Sequence, residues 1–209
     1  MCGKFTAMAT WAEVVAFSQP LTTDRYREDK LVTYRVMAVI PLITFDRASG
    51  RRRILRARWG FPHPKDFKRP QPIHARADTI ETTHAFADAF LDGQRGIALI
   101  KTFNEAPDSD GPTVQHVITP DSIGLGLAFV WRKFDVGGPE PLYAACMVTV
   151  PANKLIASLP TSRMPAVLAA EDWSVWLGEE EASLDRIKAC LKTVEGVEWK
   201  MEREPERKK

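Results

Sequence analysis

The chain has 209 residues and a formal net charge of +2, with 44% hydrophobic and 27% charged residues. These values are ordinary for a globular protein with its own core, and the length favours one domain. Because the net charge is close to zero, it does not by itself predict binding to nucleic acid. No apolar run reaches the roughly 18–20 residues of a membrane span. We therefore expect no membrane contact.

In the first half of the chain, capping residues, apolar periodicity and prolines mark the boundaries of the predicted elements. The pattern predicts a capped helix from Thr10 that ends before Pro20, an extended segment at 31–43 interrupted at Pro41, a strand at 54–61, a proline-rich loop at 63–72 and a helix at 81–91.

The second half contains more strands than helices. The pattern predicts strands at 96–103, 114–118, 125–131 and 144–150, a turn at 108–112, a short helix within 151–159 and an amphipathic helix at 182–194. Short, unevenly spaced strands with scattered helices favour an α+β fold. We predict one domain over residues 1–196 and a charged, flexible tail over 197–209.

The cysteines favour a reducing environment. Cys2, Cys146 and Cys190 are far apart and odd in number, which argues against a disulfide framework, and the absence of C-x-x-C pairs argues against structural zinc. The N-terminus lacks the pattern of a signal peptide. We expect a cytoplasmic protein with no metal and no cofactor.

Positive charge is concentrated in one segment. Residues 51–76 contain nine Lys and Arg residues and a single acid, Asp66. A basic stripe of this kind is able to neutralise phosphates of a nucleic acid. The alternative is a solvated strand face and loop.

Cys2 has chemistry that an internal cysteine lacks. Removal of Met1 leaves an N-terminal 1,2-aminothiol, whose amine has an unperturbed pKa of about 7.7–8.0 and whose thiol titrates near 8.5. The two groups condense with an aldehyde, the amine as a Schiff base and the thiol by closing a thiazolidine ring. The alternative is that Met1 is retained, or that Cys2 is a small buried hydrophobe.

A set of ordered motifs between residue 2 and about residue 177 resembles the SOS-response-associated peptidase (SRAP) family, whose members sense abasic sites in single-stranded DNA. The segments and the family patterns that they resemble are Met1–Phe5 (Met-Cys-Gly-Arg-Phe/Tyr), Tyr34–Val36 (Tyr-Asn-Val), Trp59–Phe61 (Trp-Gly-Tyr/Phe), His74–Thr79 (Asn-Ala-Arg-x-Glu-Thr), Phe103–Ala106 (Phe-Tyr-Glu-Trp), Ala128–Trp131 (Ala-Gly-Leu-Trp), Leu159–Pro165 (Ile-x-His-x-Arg-Met-Pro, with one residue of slack) and Glu171–Leu177 (Glu-Asp-Trp-x-x-Trp-Leu).

The resemblance implies a branched, barrel-like central sheet flanked by helices, with a groove for single-stranded DNA. It implies that Cys2 captures the ring-opened aldehyde of an abasic site as a covalent thiazolidine crosslink. Glu105 matches the family glutamate that handles protons, and its position after an apolar strand is one where desolvation raises a carboxyl pKa. The alternative for Glu105 is an exposed carboxylate at a strand end.

Three of the departures from the family pattern concern polar positions of the expected active site. Arg35 stands where the family has the asparagine that orients the sugar, and Thr161 stands where the acid–base histidine is expected. Threonine does not titrate near pH 7, whereas histidine does. His74 replaces a second asparagine and is a candidate to compensate, although a lone histidine is commonly structural.

Four residues are candidates for DNA contact. Lys4 keeps the charge of the family arginine without its planar fork, and Arg76 and Arg163 are suited to gripping phosphates. Trp59 either stacks on unpaired bases or belongs to the core. For Arg76, the alternative to a phosphate contact is a salt bridge within the protein.

Three functions remain open from the sequence. The first is a DNA-damage protein of the SOS response that crosslinks to an abasic site and carries the family's peptidase or hydrolase label. The second is a degenerate member that only binds single-stranded nucleic acid. The third is a thiol peptidase acting on itself or on other chains, for which no Cys–His arrangement is evident.

Overall fold

A computed structural model describes residues 2–8, 31–63, 65–70, 72–107, 114–122 and 124–205. Over these residues the chain forms a mixed α+β fold, as the sequence predicts. The strands are β1 Lys4–Ala7, β2 Thr33–Arg35, β3 Val39–Asp46, β4 Arg51–Trp59, β5 Pro62–His63, β6 Asp66–Pro70, β7 His74–Arg76, β8 Arg95–Glu105, β9 His116–Thr119, β10 Leu125–Phe134, β11 Leu142–Pro151, β12 Arg163–Pro165, β13 Val167–Leu168 and β14 Lys200–Arg203.

The helices are short and lie outside the sheet. They are α1 Ala87–Leu91, α2 Lys154–Ala157, α3 Trp173–Leu177 and α4 Leu184–Ala189, with a 3₁₀ turn at Ala170–Asp172. Asn153 caps α2 and Ser183 caps α4, each accepting a hydrogen bond from a backbone N–H in the first turn. The capped helix predicted from Thr10 lies outside the described residues.

Five strands close into a barrel. The neighbours run β10–β11–β4–β3–β8, and β8 returns to β10 through the register Leu125↔Ile100 to Val130↔Arg95. Closure leaves these strands without a free edge. The barrel and its branches confirm the predicted fold class.

The sheet branches along β8, which is longer than the barrel needs. Residues 95–100 pair with β10, whereas Phe103, Asn104 and Glu105 pair with β9 on the same side. On its other side, the C-terminal part of β8 pairs with β1, and β1 pairs with β2. The end of β8 therefore lies between the first strand of the chain and β9.

Aromatic side chains from three strands fill the interior. The rings of Phe5 and Trp59 have centroids 5.2 Å apart, and Trp59 meets Phe129 edge-on at 6.1 Å. All three side chains are buried. This contact anchors β1 to the barrel by apolar burial, so the position of the segment that contains Cys2 is fixed by the core.

Several predicted boundaries are corrected. Residues 62–63 and 66–70 form a small two-stranded hairpin instead of a loop, and prolines are tolerated there because both strands are edge strands. β3 continues through Pro41. Proline lacks an N–H donor, but Pro41 lies outside the one position, Ile43↔Ile97, at which β3 pairs with β8, so no hydrogen bond to β8 is lost there. The helix predicted at 81–91 is limited to α1, after a series of turns.

The C-terminal segment forms a strand where the sequence predicts no regular structure. β14 pairs with β9 through four register positions, from Lys200↔Thr119 to Arg203↔His116. The strand itself is mostly exposed, but Trp199, which directly precedes it, is buried and lies edge-on to Phe103 at 5.8 Å. A charged strand with few apolar residues does not give the periodic signal on which prediction relies.

Candidate functional site

Cys2 lies at the start of β1 and is enclosed by protein. Its side chain is 2% exposed, and its thiol donates to the Lys4 carbonyl at 3.4 Å. Burial, together with the negative charge of Glu105, raises the pKa of the Cys2 thiol well above its ordinary range. The sulfur is therefore held as a thiol, close enough to Glu105 to sense its charge.

Glu105 ends β8 inside the protein. Alternate residues of a strand share a face, so Glu105 follows the buried ring of Phe103 into the interior. The apolar run of β8 from Ile97 to Ile100 fixes the strand within the barrel, and the carboxylate is carried in with it. The structure thus brings together the two residues that the sequence identifies as nucleophile and proton carrier, Cys2 and Glu105.

His74 holds the backbone of Cys2. It begins β7, which pairs in parallel with β11, and its Nε2 is 2.7 Å from the Cys2 carbonyl oxygen. Because a carbonyl only accepts, Nε2 carries the proton and Nδ1 is left as an acceptor. Burial lowers the pKa of His74 below its ordinary value of 6.5, so the ring is neutral at pH 7. Among the described residues no group donates to Nδ1, which is buried.

Within the part of the chain that the structure describes, neither Arg35 nor Thr161 forms a hydrogen bond with Cys2. Arg35 is exposed at the end of β2, opposite Lys4 in the sheet, so it does not fill the pocket. Thr161 is buried, and its hydroxyl donates to the Arg163 carbonyl at 3.5 Å. The Thr161 side chain therefore stabilises the local backbone of residues 161–163.

Lys4 is engaged by an acidic residue from the C-terminus. Its Nζ is 2.5 Å from each carboxylate oxygen of Glu204, and the Lys4 side chain is 6% exposed. Glu204 follows β14, and its backbone N–H donates to Gln115. The predicted phosphate ligand is thus already paired, and no sequence signal connects two residues 200 positions apart.

Arg76 and Arg163 have different environments although both contact Asp78. Arg163 is buried, donating to the Thr149 carbonyl at 2.5 Å and pairing with Asp78 at 2.8 Å. Arg76 pairs with the other oxygen of Asp78 at 3.1 Å, and its side chain is 63% exposed. Desolvation raises the pKa of Asp78, but a backbone hydrogen bond and the charges of Arg163 and Arg76 together outweigh it and hold that pKa below its usual range. Arg76 is therefore the accessible cation of the two.

Trp59 is a core residue, which is the second of the two possibilities that the sequence leaves open. The ring is fully buried among Phe5 and Phe129, and its indole N–H donates to the Ile73 carbonyl at 3.2 Å. A base has no access to either ring face. Its role is to fix β4 and the strand that contains Cys2.

The basic stripe is divided between exposed and paired side chains. Arg51, Arg53 and Arg56 are exposed along β4. Arg52 is buried, pairs with Glu179 and lies over the Trp173 ring at 5.9 Å. Part of the stripe is therefore available to phosphates, and part of it is structural.

Within the described ranges, no group of three His, Cys, Asp or Glu residues is arranged to hold a metal ion. No helix in this part of the chain is long and apolar enough to cross a membrane.

Comparisons with known proteins agree with the ordered motifs. The profile of the family described as SOS response associated peptidase (SRAP) matches residues 1–204. No curated protein matches the chain.

Solved structures show the same fold at low sequence identity. A protein from Bacteroides thetaiotaomicron is similar with a TM-score of 0.77 and 20% identity, over 97% of this chain and 91% of that one. A protein from Bordetella bronchiseptica gives a TM-score of 0.78 with 17% identity, over 98% and 100% of the two chains. A phage-related protein from Bordetella bronchiseptica gives 0.70 with 15% identity, over 98% and 95%.

Proposed function

Because the chain belongs to the SOS-response-associated peptidase (SRAP) family, we propose that it captures abasic sites in single-stranded DNA as a covalent thiazolidine crosslink through Cys2, after removal of Met1. Membership indicates a function related to DNA damage and an interaction with DNA. The finer activity is the one that the geometry around Cys2 supports best.

The observation that carries the proposal is the convergence of His74 and Glu105 on Cys2. His74 fixes the Cys2 backbone through a 2.7 Å hydrogen bond to its carbonyl, and the charge of Glu105 acts on the Cys2 thiol. These groups come from β7 and β8, which are distant in sequence. Holding a nucleophile and a proton carrier in one geometry removes much of the entropic barrier to their joint action.

The reaction balances without an oxidant or a cofactor. The Cys2 amine attacks the aldehyde carbon of the ring-opened sugar, and the carbonyl oxygen leaves as water with both amine protons. The thiol sulfur then adds to the carbon–nitrogen double bond, and the thiol proton passes to the nitrogen. Glu105 is the group that carries protons from nitrogen to oxygen in the first stage.

The state of the thiol favours this chemistry over peptide hydrolysis. A thiol peptidase needs a thiolate, which is obtained by lowering the cysteine pKa beside an imidazolium or a similar cation. Burial and Glu105 raise the pKa of the Cys2 thiol instead, and His74 contacts the carbonyl of Cys2. An amine that attacks first does not require a thiolate.

His74 compensates for part of what the substitutions remove. Arg35 is exposed and the Thr161 hydroxyl is bonded within its loop, so of these three positions His74 is the one whose side chain hydrogen-bonds to Cys2. Its free acceptor Nδ1 and neutral ring make it a base at pH 7 rather than an acid. We expect slower capture than in a family member with the full motif, and poor reversal of the adduct.

Exposed arginines supply the contacts to the DNA backbone. Arg76 extends from the strand that also holds His74, and Arg35 is exposed next to the first strand. A guanidinium binds phosphate bidentately, so these two positions are suited to hold the strand on either side of the abasic sugar.

The test is a denaturing gel of Met1-processed protein incubated with single-stranded DNA that carries one abasic site. We expect a band that survives heat and detergent, is absent with Cys2→Ala and is strongly reduced with Glu105→Gln. Intact mass spectrometry before the assay verifies that Cys2 is the first residue. A processed protein that binds the DNA without forming the band would favour the binding-only alternative, and a longer N-terminal loss would favour self-cleavage.

A further inference from the structure

A histidine outside the family motifs lies beside Glu105. In the antiparallel pairing of β8 with β9, His116 is directly opposite Glu105, and in the pairing of β9 with β14 it is directly opposite Arg203. Directly opposite residues project from the same face of a sheet, with Cβ atoms about 4.5–5.5 Å apart. The charged groups that face His116 from the neighbouring strands are therefore Glu105 and Arg203.

His116 differs from Glu105 in its access to solvent. Glu105 is fully buried, whereas His116 is half-buried. The Nδ1 atom of His116 is enclosed, and none of the described residues provides it with a hydrogen-bond partner. Leaving a buried polar atom unsatisfied costs about 1–3 kcal/mol. A contribution to the stability of the fold therefore does not account for a histidine at this position.

The proposed chemistry begins with Glu105 as a carboxylate, so the protonation state of Glu105 has to equilibrate with solvent before and between turnovers. Glu105 accepts a proton from the amine and later gives one to the departing oxygen, yet its full burial separates it from bulk water. In the family, a histidine in the motif at 159–165 assists such steps, and here Thr161 takes its place. His74 does not connect Glu105 to solvent, because its Nε2 proton is held by the Cys2 carbonyl and its Nδ1 is buried.

We propose that His116 exchanges protons between Glu105 and solvent, and so replaces the histidine that position 161 lacks. The proposal rests on the proposed function and adds one residue to it. His116 acts through Glu105 without contacting the DNA, so it is a positioning residue for proton transfer and not a catalytic one.

Each proton is accounted for along this route. A proton taken by Glu105 from the attacking amine passes to the His116 imidazole, and the imidazolium releases it to water. Glu105 is then a carboxylate again. It takes a proton back from solvent through the same ring and gives that proton to the departing carbonyl oxygen, so Glu105 also ends as a carboxylate. No bond other than N–H and O–H is made or broken at His116, and the ring ends in the state in which it began.

The test compares the rate of adduct formation in wild type and His116→Gln under single-turnover conditions. Loss of an acid–base partner predicts a rate about tenfold to a hundredfold lower. Affinity for single-stranded DNA without an abasic site should not change, since His116 does not contact it. His116→Ala should be equally slow and should regain speed when free imidazole is added, a response that a purely structural role does not produce.

His84→Gln is the matched control, because His84 is exposed in the turns before α1. It should react at the wild-type rate, and thermal melting verifies that every variant is folded. A His116→Gln protein that reacts at the wild-type rate, or a slow His116→Ala protein that imidazole does not rescue, would overturn the role of His116 while leaving the proposed function intact. Absence of any adduct with wild type would overturn both.

Discussion

Replacing Glu204 by Gln should weaken the fold and strengthen DNA binding at the same time. The Glu204 carboxylate holds Lys4 Nζ at 2.5 Å from both oxygens, with the Lys4 side chain 6% and the Glu204 side chain 35% exposed. The variant leaves the ammonium buried without its counter-charge. It also removes a negative charge from the place where Lys4 would meet a phosphate.

The structure sets the size of both effects. Breaking a fully buried ion pair costs about 3–5 kcal/mol, and an exposed pair is worth about 0–1 kcal/mol. Since Glu204 is partly exposed and Gln keeps one acceptor, we expect a loss of about 1–2 kcal/mol in the free energy of unfolding, or roughly 2–8 °C in melting temperature. Removing a like charge about 5 Å from a phosphate gains about 1–3 kcal/mol of binding free energy, roughly 5-fold to 150-fold in affinity.

The assays are thermal melting and fluorescence anisotropy with labelled single-stranded DNA at low salt. Glu202→Gln is the control. Glu202 is exposed on β14, and its substitution removes the same negative charge without breaking the ion pair with Lys4. The gain in affinity should exceed that of the control and shrink as salt is raised. If Glu204→Gln binds DNA no more tightly than Glu202→Gln, then Lys4 is not a phosphate ligand and the ion pair is purely structural.

Further substitutions test the environments of four other residues. Trp59→Ala should cost about 3–5 kcal/mol of stability in a urea titration, because it empties a packed aromatic core; an unchanged midpoint would contradict core burial. Arg163→Ala should lower the melting temperature by orphaning buried groups, whereas Arg76→Ala should keep it and weaken binding to single-stranded DNA. Burial lowers the pKa of His74, so the unfolded chain binds a proton more readily and stability falls as pH drops below 6.5; unfolding titrations of His74→Gln should show a shallower fall.

Much of the barrel was predictable because its strands carry a strong local signal. The apolar segments at 96–103, 125–131 and 144–150 fall within β8, β10 and β11, and the ordered motifs indicated the fold around them. The hairpin of β5 and β6 was not predicted, because three prolines outweigh its weak alternation. β14 was missed for a related reason, since its pairing with β9 stabilises a charged segment that has little propensity of its own.

The candidate site was predictable in part. Motif order identified Cys2 and Glu105, and the structure brings them together. The contacts of Lys4 with Glu204 and of His74 with Cys2 join residues 200 and 72 positions apart, for which a single sequence gives no signal. His116 was missed because one histidine at a strand start is unremarkable. The signal that identifies it is the strand register, which places it opposite Glu105.

The enclosure of Cys2 places a requirement on the proposed reaction. Its side chain is 2% exposed, and β1 is paired with β2 on one side and β8 on the other. A sugar on a DNA strand therefore reaches the thiol only when the side chains around it move apart. Under the proposed function, the frequency of that local opening, and not the affinity for DNA alone, would then limit the rate at which the adduct forms.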